Sequence, residues 1–174
     1  MRYSDAANDS MLNLLDSHDT ARFLTVSGGD TARLRNAAAF LFTFVGMPCT
    51  YYGTEIGMTG ENDPDCRKAF DWDPAHWDVE LRDYYKKLMS LRKTRKALQE
   101  GSVKLCSQGE VFVMERRLEG ELLVTAINNT DLSQRCVLKG TSSRDLLGGD
   151  LYTGERETLS IELPPFTSMI LELV

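Results

Sequence analysis

The chain has 174 residues, 42% of them hydrophobic and 26% charged, with a formal net charge of −6. That length holds one good-sized domain or two small ones and buries a substantial core. Acidic and basic residues are interspersed, so no basic face exists to neutralise phosphates and a nucleic-acid partner is excluded. No apolar run approaches the roughly 20 residues that span a membrane, and residues 1–10 are polar, without the apolar core of a signal peptide.

In chain order, residues 11–16 read as a buried strand, because the apolar run is short and lacks a helical period. Ser27-Gly28-Gly29-Asp30 is a turn ending on a good N-cap, Asp30. Leu34, Ala37, Ala38, Leu41, Phe42 and Val45 then form one helical stripe, which Gly46 ends and Pro48 prevents from continuing. Thr50 to Tyr52 supply a second strand, and strand, helix, strand at this spacing predicts a parallel βαβ unit. Residues 53–78 are an irregular segment rich in Gly, Asp, Asn and Pro, and its aromatics Phe70, Trp72 and Trp77 argue that it is ordered. Asp78 caps a second helix with Leu81, Tyr84, Tyr85, Leu88 and Leu91 on its buried stripe, stopping at Gly101.

Beyond that glycine the pattern alternates. Val111–Arg116 and Leu122–Ile127 predict a hairpin across Glu119-Gly120. Arg135–Leu138, Leu159–Leu163 and Met169–Leu173 read as further strands, separated by turns at Asn128–Asp131, Gly148-Gly149 and Thr153-Gly154. Six or so short strands at this spacing predict a small antiparallel sandwich, with a domain boundary near residue 99. The four cysteines, Cys49, Cys66, Cys106 and Cys136, make no C-x-x-C pair, and the only histidines are His18 and His76. No zinc cluster is expected; the thiols are expected to be free, in a reducing, cytoplasmic compartment, with disulfides the lesser alternative.

Two segments carry chemistry. Leu14-Leu15-Asp16-Ser17-His18-Asp19-Thr20-Ala21-Arg22 brings His18 and Asp19 together at the carboxyl end of the first strand, and Met47-Pro48-Cys49-Thr50-Tyr51-Tyr52-Gly53-Thr54-Glu55-Ile56-Gly57-Met58 repeats the pattern of a short apolar strand ending in polar residues. A bare S-H-D is most often a turn with a surface histidine. Combined with Arg22, Tyr51-Tyr52-Gly53-x-Glu55 and Asn62-Asp63-Pro64-Asp65-Cys66-Arg67, it resembles the last two strands of the catalytic barrel of the α-amylase superfamily (glycoside hydrolase family 13), in the neopullulanase, cyclomaltodextrinase and maltogenic amylase subgroup. The resemblance implies an α/β plus all-β chain: residues 1–98 as the last two βα units of a TIM (β/α)8 barrel, and residues 99–174 as a C-terminal antiparallel β-sandwich with a structural role.

By that resemblance Asp19 is the supporting carboxylate that stabilises the transition state through the sugar 2- and 3-hydroxyls, His18 contacts the same hydroxyls and Arg22 helps hold the site. The physical need is plain, because hydrogen bonds to the 2-hydroxyl strengthen as oxocarbenium charge develops. The loop Gly60–Trp72 is similar to the one lining the non-reducing-end side of the cleft, so Asp63 and Arg67 are expected to reach the preceding sugar. The alternative is an Asp63–Arg67 pair that braces the loop. A calcium site from Glu61, Asp63 and Asp65 is disfavoured by Pro64 and Arg67, and neither metal nor cofactor is expected. Ser17, Thr54, Ala69 and Phe70 depart from the commoner family pattern and leave cleft specificity open.

The implied partner is an α-glucan oligosaccharide, and the implied reaction is retaining hydrolysis of α-1,4 bonds, with α-1,6 bonds as a further candidate, in maltodextrin, cyclodextrin or pullulan. The nucleophile and general acid of this family come from earlier barrel strands, which no segment here resembles. The chain is therefore expected to be a C-terminal fragment, inactive alone, and to self-associate through its open strand edges. A non-catalytic carbohydrate-binding or structural module from a truncated gene is the competing class; a sugar-transferring relative shares the same motifs.

Overall fold

A computed structural model describes residues 3–173. The chain divides into two compact units, Met1–Met89 and Ser90–Val174.

In the first unit a short helix, α1 (Asp5–Asp9), precedes β1 (Leu12–Leu14), which pairs in parallel with β2 (Met47–Cys49), Leu12 opposite Met47 and Leu14 opposite Cys49. Between the strands lie α2 (Phe23–Val26) and α3 (Thr31–Thr43). The Asp30 carboxylate accepts hydrogen bonds from the amides of Ala32 and Arg33 at 2.9 and 3.2 Å, satisfying two of the donors that a helix start leaves open. Leu34, Ala38, Leu41 and Phe42 form the buried stripe of α3. At Gly46, φ is +83°, and a Cβ would stand 2.6 Å from the Met11 carbonyl oxygen, so only glycine lets the chain turn directly into β2.

Two expectations need correction here. The second strand is Met47–Cys49, not Thr50–Tyr52. Pro48 sits inside it, tolerated because a two-stranded pair has only edge strands and no ladder bond is lost on the open side. The first strand is also not buried: Leu12 is 58% and Leu14 46% exposed, because no described residue covers the face they share with Met47. Asn13 points the other way, donating to the Val45 carbonyl at 2.8 Å.

Residues 53–78 are irregular, with single 3-10 turns at Thr54–Ile56, Asp65–Arg67 and Pro74–His76. The Asp78 carboxylate then accepts from the Leu81 amide at 2.8 Å and starts α4 (Val79–Thr94), which buries Leu81, Tyr85 and Leu88. The division between the units falls within α4, earlier than the boundary expected near residue 99. No helix among the described residues is long and apolar enough to cross a membrane.

After the last turn of α4, the second unit continues with α5 (Lys96–Glu100), whose first turn is anchored by the Glu121 carboxylate accepting from the Ala97 amide at 2.8 Å. The strands are β3 (Ser102–Gln108), β4 (Val111–Leu118), β5 (Glu121–Asn128), β6 (Gln134–Lys139), β7 (Ser142–Asp145), β8 (Leu151–Thr153), β9 (Thr158–Leu163) and β10 (Thr167–Leu173). Six form an antiparallel sheet in the order β3-β4-β5-β10-β7-β8; β6 and β9 form a second antiparallel pair. Alternate residues of the two sheets, including Val113, Val124, Cys136, Ile161 and Leu171, share one core. Asn128 locks the turn after β5, its amide donating to the carbonyls of Leu132, Leu163 and Pro164. Sequence reading missed β3, β7 and β8, whose mostly polar or exposed residues carry little alternation; partner strands impose the extended backbone there.

Candidate active site

The site grows from the carboxyl end of β1. Asp16, 3% exposed, accepts from the Phe23 amide and from the Thr54 hydroxyl, each at 2.5 Å. One buried carboxylate thus joins the end of β1, the start of α2 and the turn after β2. The sequence reading assigned Asp16 no role; the available signal was an acid closing an apolar strand.

Arg22 is fully buried. Its amide donates to the Gly60 carbonyl and its Nη1 to the Tyr52 carbonyl, both at 2.8 Å. The guanidinium carbon lies 4.8 and 4.9 Å from the ring centres of Tyr51 and Tyr52, while Nε and Nη2 have no hydrogen-bond partner among the described residues. The aromatic faces supply the negative field that acceptors would otherwise provide. Arg22, expected among the substrate-binding residues, is thus buried against the Tyr51 and Tyr52 rings and bonded to the Tyr52 carbonyl. Burial of the Tyr51 phenol, then its hydrogen bond with Tyr52, raises its pKa.

His18 and Asp19 are exposed, with side chains 62% and 74% accessible and Nε2 3.2 Å from Oδ1. The Asp19 amide donates to the Ser17 hydroxyl at 3.1 Å, which sets the turn presenting the pair. The second loop is tied to this turn at Cys66, to α2 at Gly60 and to the segment after β2 at Lys68. The buried Cys66 thiol donates to the His18 carbonyl at 3.2 Å, the Gly60 amide donates to the Thr25 hydroxyl at 2.8 Å, and the Tyr52 hydroxyl donates to the Lys68 carbonyl at 2.7 Å. Gly60 itself has no room for a side chain, since a Cβ would lie 2.9 Å from the Asp65 carbonyl oxygen.

The same loop carries Asp63 and Arg67, which pair with each other. Arg67 Nε donates to Asp63 Oδ1 at 2.6 Å and Nη2 contacts the same oxygen. The Asp63 carboxylate, with a smaller contribution from Asp19, holds the Arg67 pKa above its ordinary value. The loop-bracing pair and a sugar-contacting pair are compatible, because both side chains stay about half exposed. Asp65 is occupied otherwise, accepting from the Glu61 amide at 2.7 Å. No cluster of metal-ligating side chains occurs among the described residues.

Farther along, Phe70 packs edge-on against Trp72 and Trp77, with ring centres 4.6 and 6.0 Å apart, and Trp72 stays 80% exposed. His76 Nδ1 lies 2.8 Å from Asp71 Oδ2, an ion pair that raises the imidazole pKa; the Asp73 amide and then His76 lower that of Asp71. All four cysteines are free thiols, and burial pushes Cys136 up to about 11.

The chain is 40% identical over 171 residues to a cyclomaltodextrinase of Geobacillus thermopakistaniensis, covering 94% of this chain and 29% of the relative. It is 36% identical over 179 residues to neopullulanase 2 of Thermoactinomyces vulgaris, covering 98% of this chain and 31% of the relative. An Anoxybacillus α-amylase crystal structure superposes with a TM-score of 0.87 at 34% identity, over 95% of this chain and 38% of that one. The chain thus spans about a third or less of the curated relatives' length. Residues 1–96, which carry the His18-Asp19 turn and the Asp63–Arg67 loop, match the family model for the α-amylase catalytic domain, and the chain belongs to the α-amylase family.

Proposed function

We propose that this chain is part of a retaining α-glucan hydrolase acting on α-1,4 bonds, with α-1,6 bonds as a further target, in maltodextrin, cyclodextrin or pullulan. Residues 1–98 form the last two βα units of the catalytic (β/α)8 barrel, and residues 99–174 form a β-sandwich domain. The observation that carries this reading is the exposed His18–Asp19 pair at the carboxyl end of a parallel strand, where such barrels keep their chemistry, stitched to the loop bearing Asp63 and Arg67. The uncovered face of Leu12, Leu14 and Met47 supports it too, since a closed barrel packs that face inside.

In this reading Asp19 accepts the sugar 2- and 3-hydroxyls as positive charge builds at the anomeric carbon, and His18 supports the same contacts. Asp63 and Arg67 hold the preceding sugar, and Arg22 keeps the Tyr51-Tyr52 wall in place. The nucleophile and general acid come from elsewhere in the catalytic domain, so the 174 residues alone hydrolyse nothing. The same uncovered face makes the isolated chain self-associate. Four free thiols suit the cytoplasm.

The test is the intact mass of the protein from its native locus, paired with maltodextrin and cyclodextrin hydrolysis. A product of several hundred residues that releases maltose, and that loses about a hundredfold in kcat on Asp19→Asn with its fold intact, is expected. A native product of 174 residues, inactive on every glucan, would replace this reading with a non-catalytic module.

A further inference from the structure

Beyond the His18–Asp19 and Asp63–Arg67 pairs, the first unit contains a cavity of about 440 Å3, within the range of about 300–1,000 Å3 usual for small-molecule pockets. Ile56, Met58 and Trp77 give it apolar walls; Lys68, Asp71 and His76 give it polar ones. We propose that this cavity binds one glucosyl unit of an α-glucan, a binding site additional to those already described; the choice of ligand rests on the α-glucan reading above.

The wall chemistry favours a neutral, hydroxyl-rich ring. Asp71 disfavours an anion and Lys68 a cation, whereas a carboxylate, an ammonium and an imidazole together offer acceptors and donors to hydroxyls. The indole and the two aliphatic side chains suit the C–H faces of a pyranose. The polar wall is also held in advance. Asp71 Oδ1 accepts from the Asp73 amide at 3.0 Å and its Oδ2 pairs with His76 Nδ1, fixing the imidazole plane. His76 Nε2 stands 4.0 Å from Asp73, beyond hydrogen-bond length, and so remains available to a ligand hydroxyl. Trp77 is pinned in turn, its indole N–H donating to the Asp71 carbonyl at 2.7 Å. Little side-chain ordering is left for the ligand to impose.

The experiment is a 15N-NMR titration of the full chain with maltotriose. The chain has two tryptophans, so the indole region holds two signals, and Trp77→Phe assigns them. Maltotriose is expected to shift the Trp77 indole and the Asp71 and His76 amides with a Kd on the order of 1 mM. His76→Ala, an exposed position, weakens that binding about two- to tenfold while leaving the remaining spectrum dispersed. Shifts confined to His18, Asp19, Asp63 and Arg67 would overturn the cavity site and leave the proposed function standing. Shifts at the cavity with none at His18 and Asp19 would support the cavity and count against those roles in this chain. A spectrum unmoved by maltotriose would overturn the cavity site and glucan binding by this chain together.

Discussion

The two units treat the apolar faces of their strands in opposite ways. In the second, every inward position of β9 is sealed, Leu159 and Leu163 at 0% and Ile161 at 1% exposure, because two sheets close over one core. In the first, Leu12, Leu14 and Met47 line one face of a parallel pair and stay 46–62% exposed. The same residue types, alternating with the same period, are core in one unit and surface in the other. Apolar alternation therefore reports which residues share a face, whereas burial requires a second layer. The first unit keeps its apolar core among its helices, with Leu34, Leu41, Phe42, Leu81 and Leu88 buried, and buries the polar side chains of Asp16 and Arg22 as well, while His18 and Asp19 stay open to solvent.

Mutations should separate the two regimes. The largest effect is expected at Ile161→Ala, which removes methylenes from a sealed core and costs about 2–5 kcal/mol in urea unfolding, while Leu14→Ala stays within about 0.5 kcal/mol. Equal losses at the two positions would mean that the face of β1 is covered after all. Leu12→Lys combined with Met47→Lys should in turn shift the chain toward monomer in gel filtration without lowering its stability.

Next is Asp16→Ala. It leaves the Phe23 amide and the Thr54 hydroxyl without their acceptor and should cost about 2–4 kcal/mol. The amides of His18 and Asp19 should move in the NMR spectrum as their turn loosens; an unchanged spectrum there would detach Asp16 from the site.

The smallest effect is at His76. Its pKa is raised in the folded chain by Asp71, so its stabilisation is complete below the ordinary histidine value and fades as pH rises through the raised one. The partner Asp71 has a lowered pKa, so its contribution is present above the ordinary aspartate value and is lost as pH falls through the lowered one. Both side chains are solvent-exposed, and the stability change is correspondingly slight. The His76 ring protons should titrate above the ordinary histidine pH, and Asp71→Asn should return them to it.

Much of the fold was legible because its signals are local. The Asp30 cap, the α3 stripe, the Asp78 cap and the Glu119-Gly120 hairpin turn each lie within one helical turn or one strand pair, where spacing alone dictates geometry. β2 was misplaced because Pro48 reads as a breaker, although on an edge strand its missing N–H is harmless. β7 was missed because Ser142-Ser143-Arg144-Asp145 carries no apolar period; the flanking strands β8 and β10 hold it extended.

The sequence by itself determined the family motifs, the His18-Asp19 adjacency, the four-residue spacing of Asp63 and Arg67, and the order of helices and strands that the local periods encode. Only the tertiary structure decided that Asp16 is a buried clamp, that Arg22 is buried against Tyr51 and Tyr52, and that Cys66 ties the two loops together. The reason is distance along the chain. Those bonds join residues 38, 30 and 48 positions apart, and pairing over such separations depends on how the intervening elements pack, which no local period records.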